Sequence, residues 1–89
     1  MRIESVKFIL WAEDMDRAIA FWKDAIGLES RLESPHWSEF IHGTTVIALH
    51  GGGDGSFRLH GLGLQVADAE EACREIAAAD DAANGPDQE

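Results

Sequence analysis

The sequence predicts an α+β domain in which a β-α-β-β-β unit is followed by a shorter β-α unit. Three observations support this prediction. Short runs of alternating apolar residues, typical of strands, are interleaved with two stretches whose apolar residues recur at helical spacing. Glycine and proline separate most of these runs, as they do in turns. The opening order of an apolar run, an aspartate and a helical stretch occurs twice along the 89 residues.

The first strand and the first helix are predicted over residues 6–11 and 14–27. Alternation places Phe8 on one face of the strand and Lys7 on the other. Both faces are largely apolar, so we expect both to be covered. Asp14 is a good N-cap, the residues after it carry apolar side chains at helical spacing, and Gly27 ends the helix.

Three further strands are predicted over residues 28–34, 37–42 and 45–50. Pro35 separates the first two, and the dipeptide Gly43-Thr44 forms a two-residue turn between the last two. This turn sets the register, in which the facing pairs are His42 and Thr45, Phe40 and Ile47, Glu39 and Ala48, and Trp37 and His50. We therefore expect Trp37, Glu39, Ala48 and His50 to share one face of the sheet.

The remaining segments predict a loop over residues 51–58, a partial second unit over 59–79, and an acidic disordered tail over 80–89. The glycine-rich loop lacks the Lys-Ser or Lys-Thr that completes a phosphate-binding P-loop. Residues 59–66 predict a fifth strand with large aliphatic residues on one side and Gly61, Gly63 and Gln65 on the other. Asp68 then caps a second helix, with Glu71 three residues later. Residues 1–79 are thus expected to form one domain, with the first unit at 1–50.

Composition narrows the classes of partner. Seventeen acidic residues against seven basic ones leave a formal charge of −10, which repels nucleic acids and anionic membrane surfaces. The chain has no apolar run long enough to span a bilayer and no signal peptide at its start, so we expect a cytoplasmic protein. The single cysteine, Cys73, excludes an internal disulfide and is expected to be a packed thiol.

Three segments resemble the vicinal oxygen chelate superfamily, which includes glyoxalase I, extradiol dioxygenases and bleomycin-resistance proteins. They are "DMDRAIAFWKDAIGLE" after the first strand, "TTVIALHGGG" in the fourth strand and "GLGLQVADAEEACREI" near the end. The resemblance implies a βαβββ module whose curved mixed sheet carries its helices on the convex face. Two such modules normally enclose a pocket, and two chains frequently supply them. The second module is incomplete here, so the resemblance implies a homodimer.

The resemblance also implies positions for metal ligands, but this chain lacks the ligand side chains. The position on the first strand falls on Lys7, that on the fourth on Ala48 and that on the fifth on Gly61, while the fourth position lies in the missing segment. An ammonium group, a methyl group and a hydrogen do not coordinate a divalent metal. We therefore expect neither a metal nor a cofactor.

The face with the small residues is expected to form the concave wall of a binding site. Its candidate ligand-binding residues are Lys7, Trp11, Trp37, Glu39, His50 and Gln65, with Ile9 and Ala48 between them. The two tryptophans either stack on a planar ligand or serve as core or interface residues. Glu39 and His50 are weak candidates for a general acid and base, with a hydrogen-bonding or solvated role as the alternative. We expect Lys7 to form a salt bridge with Glu39.

These features lead to one functional hypothesis and two alternatives. The hypothesis is a metal-free protein, similar to the bleomycin-resistance branch, that binds a small planar or cationic ligand in a concave pocket at a dimer interface. The first alternative is a metal-dependent lyase or dioxygenase in which Glu39 and His50 are substitute ligands. The second is a truncated structural or interaction module without a ligand. The absence of the usual ligands favours a role without catalysis.

Overall fold

The computed structural model describes residues 1–56 and 61–84, with side chains up to residue 79. Its strands are β1 (Val6–Ala12), β2 (Glu29–Leu32), β3 (Trp37–His42) and β4 (Thr45–Gly51), and its helices are α1 (Met15–Ala20) and α2 (Ala69–Asn84). The strands form one mixed sheet in the order β1-β4-β3-β2. Strand β1 is parallel to β4, and the other pairs are antiparallel. The α+β prediction is therefore confirmed.

The first helix begins and ends where the sequence predicts, but its last part is wider than an α-helix. The Oδ1 atom of Asp14 accepts a hydrogen bond of 3.1 Å from the backbone N–H of Arg17, which caps the first turn. After α1 the chain continues as a π-helical turn, Phe21–Ala25. Gly27 then adopts a positive φ of 86°, a conformation that glycine tolerates and most residues avoid.

The hairpin of β3 and β4 has the register that the sequence predicts. All four predicted pairs are present, including Glu39 with Ala48 and Trp37 with His50. In the two-residue turn, Gly43 has a positive φ of 61° and Thr44 does not. A positive φ at the first turn residue is the pattern of a type II′ turn, whose twist matches that of the strands it joins.

The hydrophobic core lies between the sheet and the first helix. Phe40, Ile47 and Leu49 are at most 3% exposed. Partly buried residues from β1, the first helix and the chain around it pack against them, namely Phe8, Leu10, Met15, Ala18, Ile19, Trp22, Leu28 and Leu62. The core side of β1 is thus the side of Phe8 and Leu10. Because side chains alternate along a strand, the residues between them point to the other face.

The predicted fifth strand is wrong for the residues that can be compared. Residues 61–66 form no strand, and residues 57–60 lie outside the described part of the chain. Gly61 has a φ of 73°, which is incompatible with an extended strand. Leu62 packs against the core, and residues 62–66 line a groove of ≈ 450 Å³ together with Phe8 and Ile47. This segment therefore lies on the core side of the sheet.

The second helix starts as predicted but differs in length and burial. The Oδ1 atom of Asp68 accepts a 3.0 Å hydrogen bond from the N–H of Glu71, which confirms the cap. The helix continues to Asn84, five residues into the predicted tail, because this stretch is rich in alanine, the strongest helix former. The helix packs mainly on the Phe21–Ala25 turn, and Cys73 is exposed, contrary to the expected packed thiol. Residues 85–89 of the tail lie outside the described part of the chain.

Candidate ligand-binding site

The candidate site is the face of the sheet opposite the first helix. Lys7, Ile9 and Trp11 alternate with the core residues of β1 and lie in register with the corresponding residues of β4 and β3. We call this surface the Glu39 face. Its residues are Lys7, Ile9, Trp11, Arg31, Trp37, Glu39, Ala48 and His50, together with Glu29, Leu32, Ile41 and Val46 at their register positions.

The centre of the Glu39 face is covered, whereas its β1 margin is open. Ala48 is fully buried between its in-register neighbours Ile9 and Glu39, and Glu39 itself is 8% exposed. At the margin, Ile9 is 52% and Trp11 is 49% exposed. This face therefore presents apolar and aromatic surface beside a covered charge, rather than a closed cavity.

Three side chains donate hydrogen bonds to the carboxylate of Glu39. Its Oε2 atom accepts from the indole Nε1 of Trp37 at 2.7 Å and from Lys7 Nζ at 3.2 Å. Its Oε1 atom accepts from Arg31 Nε at 2.8 Å and also from the terminal nitrogen of the same guanidinium. The predicted Lys7–Glu39 salt bridge is thus confirmed, as one part of a larger network.

This network keeps Glu39 ionised. The indole donor of Trp37 and the guanidinium of Arg31 lower its pKa from 4.5 to about 2, with a smaller contribution from Lys7 and against the opposing effect of burial. A carboxylate with this pKa is a weak base near neutral pH and carries no proton to donate. The geometry therefore favours a structural role for Glu39 over the general acid or base considered from the sequence.

The charges of the Glu39 face are layered. Lys7 and Arg31 carry two positive charges against the single negative charge of Glu39, which leaves one net positive charge on the network. The side chains of Lys7 and Arg31 are 38% and 49% exposed, but that of Glu39 is only 11% exposed. A molecule that approaches this face thus meets the cations before it meets the carboxylate.

Three aromatic rings lie beside the charged network. The ring centroids of Trp11 and His50 are 4.2 Å apart, and those of Trp37 and His50 are 5.8 Å apart with nearly perpendicular planes. Lys7 Nζ lies 5.7 Å from the centroid of Trp37, within the range of a cation–π contact. The Nδ1 atom of His50 lies 2.6 Å from the carbonyl oxygen of Gly51. A carbonyl only accepts, so Nδ1 is the donor in this contact.

The structure brings together five of the six predicted site residues, and their roles in binding stay predictions. Lys7, Trp11, Trp37, Glu39 and His50 share the Glu39 face. Gln65 does not. It lines the groove on the core side, because the strand that was expected to present it is absent from residues 61–66. Gly63 lines the same groove, and Gly61 lies outside any strand.

Sequence reasoning missed Arg31. Its strand was predicted, but a register shift between Ser30 and Leu32 interrupts the pairing of β2 with β3. Simple alternation does not extend through such an irregularity. The one available signal was an arginine in the strand adjacent to that of Glu39, because a buried carboxylate needs a positively charged or hydrogen-bonding partner.

The residues of the Glu39 face do not fit the divalent metal that the resemblance implies. Lys7 and Ala48 occupy two of the expected ligand positions, and neither side chain coordinates a metal. Both oxygens of Glu39 already accept hydrogen bonds. Within the described residues, no group of three His, Cys, Asp or Glu side chains converges. His42 belongs to the core side of β3, opposite the face of His50.

No protein-family model and no curated protein matches this chain. Among solved structures, the crystal structure of lactoylglutathione lyase from Agrobacterium tumefaciens is similar to it. The match covers 82% of this chain and 67% of the lyase, with a TM-score of 0.60 and 25% sequence identity. Neither described helix is long and apolar enough to cross a membrane. The four-stranded mixed sheet and its two helices form a glyoxalase-like fold.

Proposed function

We propose that this chain is a small-molecule-binding protein that holds a planar ligand against the aromatic side chains of the Glu39 face. The convergence of Trp11, His50 and Trp37 beside the network of Glu39 carries this proposal. Aromatic surface with a few convergent polar groups is typical of small-molecule sites. Each stacked pair of rings contributes about 0.5 to 1.5 kcal/mol beyond its buried area. Similarity to the structure of a lyase is compatible with such a site.

The ligand is proposed to bind at the interface of a homodimer. Ile9 and Trp11 are about half exposed at the β1 margin, although both are large and apolar. The Glu39 face is open at this margin, and a second copy of the chain covers it with its own apolar and aromatic residues. This arrangement agrees with the two-module pocket that the resemblance implies. An 89-residue chain also buries a modest share of its surface alone, so pairing adds stability.

Binding is proposed to need no metal, as the resemblance to the bleomycin-resistance branch suggests. Support comes from the residues at the expected metal-ligand positions, since Lys7 and Ala48 occupy two of them and neither side chain coordinates a metal. The structure gives less support to a cationic ligand. That expectation relied on the net acidity of the chain and on Glu39, whose charge is already compensated by Lys7 and Arg31. The aromatic rings argue for a planar ligand and do not depend on its charge.

Indole NMR signals test the proposal. The chain has three tryptophans, and Trp22 packs on the core side of the sheet, so its signal is an internal control. We expect 2-naphthamide, a planar neutral probe, to shift the indole signals of Trp11 and Trp37 in a saturable way and to leave that of Trp22 unchanged. Chelator in the buffer should make no difference. The Trp11→Ala variant should bind about two- to tenfold more weakly.

Three results would contradict the proposal in different ways. Shifts of Trp11 and Trp22 without Trp37 would place the ligand in the groove beside the first helix, which those two residues line with Asp14. Loss of binding in chelator would show that a metal is needed. A lack of saturable shifts with neutral, anionic and cationic planar probes would favour the module without a ligand.

A further inference from the structure

We propose that the ligand of the Glu39 face is a planar monoanion of the aromatic carboxylate class. The ring packs against Trp11 and Trp37, and the carboxylate binds the outward sides of Lys7 and Arg31. This inference rests on the proposed function and adds the chemical class of the ligand. It replaces the cationic ligand considered from the sequence.

The layering of charge is the first argument. The carboxylate of Glu39 lies beneath the two cations, with 11% of its side chain exposed against 38% for Lys7 and 49% for Arg31. The network carries one net positive charge, although the whole chain has a formal charge of −10. Contacts at short range depend on the groups that the ligand touches, because more distant charges are screened by salt. The surface around Lys7 and Arg31 therefore favours an anion, while the exposed Glu29, opposite Ile41 in the pairing of β2 with β3, adds a negative charge at the β2 edge of the same face.

The donor inventory is the second argument. A lysine ammonium has three N–H donors and an arginine guanidinium has five. Within the described residues, Lys7 uses one of these donors on Glu39 and Arg31 uses two. Both side chains thus keep donors on the same side of the sheet. A planar guanidinium suits a carboxylate, since the two groups form parallel hydrogen bonds.

The position of the aromatic rings is the third argument. Trp37 connects the two parts of the site, because its indole donates to Glu39 and its ring lies 5.7 Å from Lys7 Nζ. Trp11 and His50 continue the aromatic surface toward the β1 margin. A ligand with a ring next to a carboxylate matches this arrangement of cations beside aromatic rings. A ring alone would leave the cations without a partner, and a carboxylate alone would leave the aromatic surface uncovered.

Three probes of one shape test the charge of the ligand. We expect 2-naphthoate to bind the native protein about tenfold more tightly than 2-naphthamide, and the cationic 2-naphthylmethylammonium to bind most weakly. Isothermal titration measures the affinities, and the Trp37 indole signal confirms the site. Similar affinity for the naphthoate and the amide, or a preference for the cation, would overturn the inference and leave the proposed function intact. Failure of all three probes would instead remove the proposed function.

Variants assign the effect to the named residues. Arg31→Gln should reduce the preference for naphthoate over the amide to about threefold or less. Glu39→Gln removes the competing negative charge but keeps an amide oxygen that accepts hydrogen bonds from the same donors, so it should tighten naphthoate binding, a gain that a merely structural role for the network does not produce. Lys23→Gln is the matched control, because Lys23 also has a 49% exposed side chain and an ion pair, with Glu33, but lies away from the Glu39 face. Equal losses in the Arg31 and Lys23 variants would contradict the inference. If Arg31→Gln does not fold, the unchanged-charge variant Arg31→Lys still tests whether the planar donor matters.

Discussion

Glu39 organises the charged residues of its face. Its carboxylate is on a residue that is only 8% exposed and has lost most of its hydrogen bonds to water. Hydrogen bonds from Trp37, Lys7 and Arg31 to its two oxygens replace them. The same contacts orient the donors. The indole of Trp37 is held by its N–H, and the ammonium of Lys7 is held near that ring. One buried acid therefore positions both the aromatic and the cationic parts of the candidate site.

The first prediction concerns the dependence of stability on pH. Because the network lowers the pKa of Glu39 from 4.5 to about 2, the folded state favours the carboxylate. Its contribution to stability is complete above about pH 4.5 and is lost as the pH falls toward 2. We expect Glu39→Gln to lower the free energy of unfolding by about 1 to 2 kcal/mol at pH 7. This difference should shrink as the pH falls from 4.5 to 2, as measured by urea denaturation.

The control for this prediction is Glu33→Gln. Glu33 also accepts from a lysine, at 3.1 Å, but this ion pair is exposed, and exposed pairs contribute little to stability. The Glu33 variant should therefore stay close to the native protein at every pH. A Glu39 variant whose stability tracks that of the Glu33 variant would show that the network contributes nothing to folding.

The residue scale also shows where sequence reasoning stops. Lys7 and Glu39 could be placed on one face because each lies in a regular strand whose register follows from alternation and a two-residue turn. Arg31 could not, since the irregularity in β2 removes the simple alternation on which such an assignment relies. The pKa of Glu39 was also out of reach, because it depends on three donors from separate parts of the chain.

At the scale of elements, the end of β4 links the fold to the site. Gly51 closes this strand, and its N–H donates a 2.9 Å hydrogen bond to the carbonyl of His36. Its own carbonyl oxygen lies 2.6 Å from Nδ1 of His50. A Cβ atom at Gly51 would lie 2.7 Å from the carbonyl oxygen of Pro35, which is closer than real contacts allow. Only glycine fits this position without a shift of the backbone.

The second prediction is that Gly51→Ala destabilises the protein and disturbs the aromatic rings. The added methyl group forces the end of β4 away from Pro35, at a cost of about 1 to 3 kcal/mol. His50 moves with the strand, so the indole signal of Trp37 should shift in the variant without a ligand. Thermal unfolding and NMR measure the two effects. Gly63→Ala is the control, because nothing lies within 4 Å of a Cβ there. Equal effects of the two substitutions would contradict the prediction.

The elements also differ in how far their own sequence determines them. The register of the β3–β4 hairpin was predicted to the residue, because the turn, the alternation and the buried face all specify the same register. The segment 61–66 has alternating aliphatic residues but also two glycines, and it packs on the core side without forming a strand. The second helix was recognised by its cap, but its burial was not, since that depends on which element it packs against.

At the scale of the whole molecule, the two outer strands of the sheet are unequal. Strand β2 has four residues and a register shift, features that discourage pairing with another chain. Strand β1 has seven residues, and its outer edge is not paired within the described sheet. Val6, Ile9 and Trp11 along it are each about half exposed. The edge and the exposed apolar residues thus coincide on β1, which is where we place the proposed dimer contact.

The third prediction is that Ile9→Lys dissociates this dimer. A two-fold axis requires the two β1 strands to pair in an antiparallel way, and Ile9 is the middle residue of the strand. In a pairing centred there, the two substituted lysines lie opposite each other and repel. Val66→Lys is the matched control, since Val66 is 47% exposed against 52% for Ile9 but lies on the core side. Sedimentation at micromolar concentration should show dimers for the native and Val66 proteins and monomers for the Ile9 variant. If the native protein sediments as a monomer, or if the Ile9 variant stays dimeric, β1 is not the contact and the Glu39 face must bind its ligand without a second chain at that edge.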